Sequence, residues 1–505
     1  MRLWGRMLSG ARLPTAPGGV RKNVGQRIGN LPYKIAGAAL VIATLILGIS
    51  GMRRSLWLDE AWVANSIHAP TIGQMFYYPN WLQSSPPLFL LASRAAVQAF
   101  GLSSLSLRMV PLLMALVATV AFFLAANRVL SGPFAILAAS LLVFFTAEVE
   151  YSHTAKQYSG EVAMSSLILL MAISYLQKPD QRRFVWLCAV TAAALPFAYS
   201  SAFMLPAVVL AVYFKDRRNA AQLAALTGGV LAILYIFFIR QNVASELRRY
   251  WISDSDTGFT RGAVIVLAIA VATTVLNRNW IQMLCLMPCL LLAAAAALHW
   301  YPLSYRTRLF VVPGFILMIT MAAENLCRGI FSNRRTAEAI AWVLIGLAVV
   351  LGVRSQILAQ PGLPKEDVDG AVRFLQSAVS PNDLLLLHPS VGESFRLYAA
   401  MDQWSAPPVV YGDTGWPCCP RGKDARPMSS TNDAVVRDLR RMIPTGYSGL
   451  IWLLYTIRPT HWDWVGFDES KLWRSYLAGH GCQVSRPNRS FENLAITVAT
   501  CDKVR

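Results

Sequence analysis

Two consecutive carboxylates, Asp59 and Glu60, stand between tryptophans in the segment Ser55-Leu56-Trp57-Leu58-Asp59-Glu60-Ala61-Trp62, just beyond an apolar stretch. Tryptophans beside an apolar run mark a membrane–water interface. An acidic pair is a poor anchor at that depth, but a good place for chemistry on a lipid-borne substrate. Cations recur in comparable positions: Lys156 within Tyr151-Ser152-His153-Thr154-Ala155-Lys156-Gln157-Tyr158, and Arg306 and Arg308 within Tyr305-Arg306-Thr307-Arg308. A carboxylate can take the proton of an attacking hydroxyl. Arginine and lysine can neutralise a departing phosphate. Acids and cations on one face are what transfer from a phosphate-linked donor needs.

Each group also has an ordinary reading when taken alone. Asp59-Glu60 is then a solvated turn, Arg306 and Arg308 snorkel to headgroups, and Arg248-Arg249 before Tyr250-Trp251 anchors an interface. The combination weighs against this, because ionisable groups kept at membrane depth usually pair or line a cavity. The full set expected on one side is Asp59, Glu60, Glu148, Glu150, His153, Lys156, Glu161, Arg240, Arg248, Arg249, Arg306 and Arg308.

The elements that must position these groups follow from hydropathy. Of 505 residues, 55% are hydrophobic and 14% charged, against about 25% charged in soluble chains. Apolar runs of spanning length predict helices near 33–51, 107–127, 132–147, 159–176, 184–197, 199–214, 220–239, 262–276, 280–298, 309–325 and 337–357. The net charge of +19 does not indicate nucleic acid, because the basic residues gather in the turns at Arg128, Lys178 to Arg183, Lys215 to Arg218, Arg278 and Arg328 to Arg335. Those turns are read as cytoplasmic. Eleven crossings from an inner N-terminus then leave the tail outside. The stretch 184–214 is short for two crossings of about 20 residues each. As one kinked helix it would reverse everything downstream, but Lys215-Asp216-Arg217-Arg218 favours two helices broken near Pro196. Pro86 to Phe100, with Arg94 inside it, reads as a helix lying in the outer interface.

Residues 1–32 form a basic cytoplasmic leader, 33–357 the membrane domain with an outer loop at 52–106, and 358–505 a small extracytoplasmic α/β domain. In that tail, helices at 366–379, 431–442 and 469–479 alternate with strand-like runs at Leu384–Leu387, Gly449–Tyr455, 482–486 and 493–500. Cysteine spacing matches no zinc framework, and Cys482 with Cys501 is open to either a disulfide or free thiols. Cys418-Cys419 reads as a loop accident, Asn488-Arg489-Ser490 as a chance glycosylation triplet, and Gly228-Gly229 as a close-packing device.

Three local patterns carry a family resemblance. Trp57 to Trp62 is similar to the acidic motif in the first outer loop of the GT-C class of integral-membrane glycosyltransferases. Ser85-Pro86-Pro87-Leu88-Phe89 resembles that class's juxtamembrane helix start, and Ala155-Lys156-Gln157-Tyr158 its Ala-basic-x-Tyr motif, with Glu161 where a second acid often stands. Tyr305 through Pro313 resembles an Arg-containing entry to a late helix. The likeness covers roughly residues 30–325 and points to the branch of aminoarabinose transferases and protein O-mannosyltransferases. Ser85 replaces the His or Lys often found before Pro-Pro, so no metal or phosphate contact is carried over from it. No metal ligand is assigned, though a divalent cation is compatible with the class.

The resemblance implies an all-α polytopic domain of about eleven transmembrane helices with an α/β tail, in the inner (plasma) membrane with its site outside. It also implies inverting transfer of a sugar from a polyprenyl-phosphate donor to a lipid, polysaccharide or protein acceptor of the cell envelope. Asp59 is then the general base, with Glu60 orienting it or binding sugar, or the two exchanged. Glu161 supports the site or binds acceptor, and Lys156, Arg306, Arg308 and Tyr158 hold the donor phosphate. The alternative is a transporter or flippase of a lipid-linked saccharide, which would place acids mid-helix and often show two similar halves. A scaffold acting through its tail is a third reading.

Overall fold

The computed structural model describes residues 31–77, 85–240, 280–331, 333–359, 366–405, 409–411, 432–456, 469–485, 489–491, 493–502 and 504. The leader to residue 30, the expected crossing at 262–276, Arg248-Arg249, Cys418-Cys419 and Asn488 lie outside these residues. Seven of the described helices are long and apolar enough to cross a membrane, or eight if a bent pair counts as one span. This is a multi-pass membrane protein.

Helix α1 (Leu31–Ser50) leads into the loop helices α2 (Leu58–His68), α3 (Ile72–Phe76) and α4 (Pro87–Phe100). Then follow α5 (Ser104–Val129), α6 (Gly132–Val143), α7 (Thr146–Ser152), α8 (Tyr158–Gln177) and α9 (Gln181–Phe197). A 3₁₀ turn at Tyr199–Met204 precedes α10 (Leu205–Tyr213), and α11 (Arg217–Leu234) ends in a π turn at Tyr235–Ile239. Beyond residue 279 come α12 (Trp280–Ala297), a 3₁₀ turn at Leu309–Val311, α13 (Val312–Ile330) and α14 (Arg334–Ala359).

The helix expected over 132–147 is instead two, α6 and α7, bent by 58°. The chain is closely packed at the bend. Gly352 of α14 backs onto Phe144, where an added Cβ would lie 2.4 Å from the Phe144 Cβ. Gly228 and Gly229 do not serve the packing expected of them, since a Cβ on either meets nothing within 4 Å among the described residues.

Side-chain contacts settle which helix ends share a side. Gln177 donates to the Arg128 carbonyl at 2.8 Å, and the Ser131 N–H donates to Glu324 at 3.1 Å. Asn219 donates to the Tyr175 hydroxyl at 3.0 Å, placing the start of α11 beside the end of α8. The chain therefore enters α9 and leaves α10 at the same end of the bundle. Residues 181–213 run out and back, as two short helices broken at the extended Ala198 rather than one kinked crossing. At the opposite end, Tyr77 donates to the Phe237 carbonyl at 2.6 Å. Arg94 of α4 donates to the carbonyls of Ile67, Ala69 and Pro70, capping the C-terminus of α2. A cation that would be costly in a crossing serves here as a cap, as expected of a helix lying along an interface.

The tail is a sheet between two helical layers. Its elements are α15 (Val368–Ala378), β1 (Leu384–Leu387), α16 (Pro389–Met401), β2 (Val409–Tyr411), α17 (Asn432–Met442), β3 (Gly449–Thr456), α18 (Glu469–Gly479), β4 (Cys482–Val484), β5 (Arg489–Phe491) and β6 (Leu494–Cys501). The strand order is β2-β1-β3-β6-β4, with β5 also on β6. Pairing of β1 with β2 and β3 is parallel, and β6 pairs antiparallel with β3, β4 and β5. Period-two alternation sends the four leucines of β1 to both faces. Leu384 and Leu386 join Leu439, Met442 and Trp473 of α17 and α18. Leu385 and Leu387 join Val372, Leu375 and Phe395 of α15 and α16, and that cluster continues into Leu56, Ala61 and Ile67 of the membrane domain. One apolar core thus runs through the tail and the acidic loop. Cys482 and Cys501, directly opposed on β4 and β6, form a disulfide.

Helix α16, β2 and β5 did not stand out in the sequence. Pro389 and Gly392 mask the helical period of α16, although proline suits a helix's first turn, and β2 and β5 are three residues each.

At the seam, Asn65 of α2 donates to the Glu393 carbonyl oxygen at 3.0 Å. Burial raises the Glu393 carboxyl to about 7, with Arg396 working against the shift. A raised folded-state value means stability present below the usual glutamate range and lost as pH climbs to 7. Glu393→Gln should therefore flatten the pH dependence of thermal unfolding between about 4.5 and 7 and stabilise the protein at pH 8, as measured by melting in detergent.

Candidate active site

Asp59 and Glu60 open α2, and consecutive helical residues diverge by about 100°. The two carboxylates accordingly have different surroundings. Glu60 is fully buried and faces the equally buried Arg108 at 2.8 Å. Its Oε1 accepts from Arg108 Nε at 2.9 Å and from the Ala155 N–H at 2.7 Å. Its Oε2 accepts from the Trp57 N–H at 3.4 Å, closing the first turn of α2. Burial pushes the Glu60 carboxyl up, but the charge and hydrogen bonds of Arg108 outweigh that and hold it below the usual range.

Arg108 does more than neutralise Glu60. Its Nη1 donates to the carbonyls of Gly51, Met52 and Arg54 at 3.2, 2.9 and 2.6 Å, and its Nη2 to that of Ser55 at 3.3 Å. One guanidinium thereby folds the 51–55 turn around itself. The neighbouring Arg54 donates to Thr154 at 3.1 Å, so the acidic loop and the 151–157 loop are tied at several points. From the tail, Tyr398 accepts the Leu56 N–H at 2.6 Å and Ser55 accepts the Asp369 N–H at 3.2 Å.

Asp59 points the other way, into a partly open cleft. Arg306 pairs with it at 2.9 Å, with side-chain exposures of 22% and 19%. Lys156, next to the Ala155 that Glu60 holds, lies in the field of Asp59, Arg306 and Glu60. Burial lowers its pKa, Asp59 opposes that, and Arg306 adds to it. Tyr158 begins α8 in the same surroundings, near Arg306, Glu161, Asp59 and Tyr305. Its ring stands 4.6 Å from that of Tyr151, whose hydroxyl donates to Tyr305 at 3.1 Å.

Groups far apart in the chain are thus brought together: Asp59, Lys156, Tyr158 and Arg306 at the centre, with Glu161 one turn into α8. Arg308 flanks them, half-buried at the start of the 3₁₀ turn at Leu309–Val311. Glu148 lies apart in α7, where neither carboxyl oxygen has a hydrogen-bond partner. Arg240 is exposed at the end of the π turn. Ser85, where a basic residue was looked for, donates to Gln157 at 3.4 Å and so borders the Lys156 turn. Arg108 was not singled out in the sequence, where it looks like a helix boundary; the available signal was a cation in an apolar helix with no nearby acid in sequence. Among the described residues, no group of three or more His, Cys, Asp or Glu side chains converges as metal ligands.

The fold, a helical bundle with an α/β tail, matches solved structures. ArnT from Cupriavidus metallidurans bound to undecaprenyl phosphate superposes with a TM-score of 0.54 at 12% identity, covering 91% of this chain and 97% of that one. The fold is GT-C. The apo state of the same protein gives 0.53 at 10% identity, with the same two coverages of 91% and 97%. The apo oligosaccharyltransferase of Archaeoglobus fulgidus gives 0.52 at 13%, covering 90% of this chain and 74% of that one. A family model described as dolichyl-phosphate-mannose-protein mannosyltransferase matches residues 84–239. No curated protein sequence matches.

The clamp can be tested directly. Arg108→Met leaves Glu60 buried without its counter-charge and should cost about 3–5 kcal/mol, seen as a large fall in melting temperature in detergent. Adding Glu60→Leu should recover much of that loss.

Proposed function

We propose that this protein is an inverting membrane glycosyltransferase that moves a sugar from a polyprenyl-phosphate donor to a cell-envelope acceptor. The observation that carries the reading is the Asp59–Arg306 pair with Lys156 beside it: one carboxylate and two cations in a single cleft. The GT-C fold, the undecaprenyl phosphate bound to ArnT and the mannosyltransferase family model support the class of donor.

In this mechanism the donor lipid lies in the bilayer and its phosphate enters the cleft against Lys156 and Arg306, with Arg308 beside them. Asp59 takes the proton of the acceptor hydroxyl. The resulting oxygen attacks the anomeric carbon opposite the phosphate, and the carbon–oxygen bond to phosphate breaks with its electron pair staying on the phosphate. The configuration inverts, and the cations neutralise the lipid phosphate that leaves. Arg306 is shared in sequence: it holds Asp59 before the donor arrives, and phosphate then competes for it. Glu60 fixes the orientation of Asp59 through α2 without reaching the cleft.

Charge supports an extracytoplasmic site. Arg128, Lys178, Arg217, Arg328 and Arg334 lie at the end of the bundle opposite Asp59, as cytoplasmic turns should. The Cys482–Cys501 disulfide fits an oxidising compartment. A flippase would place its acids within spans and repeat its halves, whereas the acid at the centre of this cleft sits on an interfacial helix.

Asp59→Asn should lower transfer by about 10²–10⁴-fold while expression and insertion stay normal. Because Asp59 and the phosphate contend for Arg306, the same variant should bind polyprenyl phosphate at least as tightly as the parent. Normal turnover, or weakened lipid binding, would remove Asp59 from this role. Arg306→Ala should weaken donor affinity about tenfold or more with little change in melting temperature; unchanged affinity would make Arg306 a headgroup anchor.

A further inference from the structure

We infer that Glu161, with Ser200 and the hydroxyls of Tyr158 and Tyr301, forms a subsite for the hydroxyl groups of the donor's sugar ring. The inference rests on the glycosyltransferase reading. Glu161 is 5% exposed and its Oε2 accepts no hydrogen bond. The Ser200 hydroxyl, on the 3₁₀ turn between α9 and α10, is 2% exposed and lies beside this carboxyl, where it can donate to one of its oxygens. Buried polar atoms of this kind are costly to leave unmatched. With Ser200 beside the carboxyl, the Glu161 Oε2 that no donor reaches among the described residues indicates a ligand that supplies one.

The surroundings suit a sugar. Tyr158 and Tyr301 both lie within the electrostatic reach of Glu161. The Tyr301 hydroxyl is held toward the Thr307 carbonyl at 3.4 Å, and its ring packs against Phe203 at 5.1 Å. Carboxyl and hydroxyl groups set among aromatic rings complement a molecule with hydroxyls at its edge and C–H bonds on its faces. Distance along α8 favours the donor over the acceptor. Glu161 lies three residues beyond Tyr158, about 4.5 Å along the axis, and Tyr158 adjoins Arg306 and Asp59. That is about the reach of a single ring whose phosphate is held at Arg306.

The test compares binding of undecaprenyl phosphate with that of undecaprenyl-phosphate mannose, glucose, galactose and arabinose, for the full chain in nanodiscs. The parent should bind at least one of the sugar-bearing lipids about tenfold or more tighter than the bare phosphate. Glu161→Gln should erase that difference while leaving bare-phosphate affinity unchanged, and Ser200→Ala should reduce it. If the parent binds every probe only as tightly as bare phosphate, or if Glu161→Gln weakens bare phosphate equally, the subsite is overturned. A parent that fails to bind undecaprenyl phosphate at all would instead sink the glycosyltransferase reading, and the subsite with it.

Discussion

The Glu60–Arg108 pair is the interaction on which the site's geometry depends. Both side chains are fully buried, and such a pair is sustained only when its remaining donors and acceptors are also satisfied. Here they are. The spare donors of Arg108 take up the carbonyls of the 51–55 turn, and the spare capacity of Glu60 takes up the N–H of Ala155. Asp59 follows from Glu60 by one helical step and Lys156 from Ala155 by one residue. The separation of Asp59 from Lys156 is therefore set from behind, by the buried Glu60–Arg108 pair.

That arrangement resolves the double acidic motif. Two adjacent carboxylates in a loop look equivalent on paper, and their roles could be exchanged without offending any rule of spacing. Burial separates them. One oxygen pair is enclosed by guanidinium and backbone donors, while the other stands at a partly open surface against Arg306. The tail contributes to the same end, since Tyr398 and the Asp369 backbone hold Leu56 and Ser55 from the far side.

Much of this was legible in the residues. Hydropathy located the described spans to within a few positions, and the basic turns grouped their ends as Gln177, Asn219 and Glu324 do in three dimensions. The convergence of residues 59, 156 and 306 was readable because charge at membrane depth is expensive. Arg108 escaped because its partner is 48 positions away in sequence, and a lone arginine at a helix start looks like a boundary. The break between α6 and α7 escaped because the apolar run continues through it, and short edge strands such as β2 carry too few residues to show a period.

The sheet of the tail has a temporal consequence. Strand β6 joins β3, β4 and β5, yet it follows every other element in sequence. During synthesis, which proceeds from the N-terminus, the helices enter the bilayer first. The acidic loop waits there with an uncovered apolar flank until the final strand lets the roof close over it. Closure of the sheet over the acidic loop thus waits for β6, and the disulfide waits for both of its cysteines.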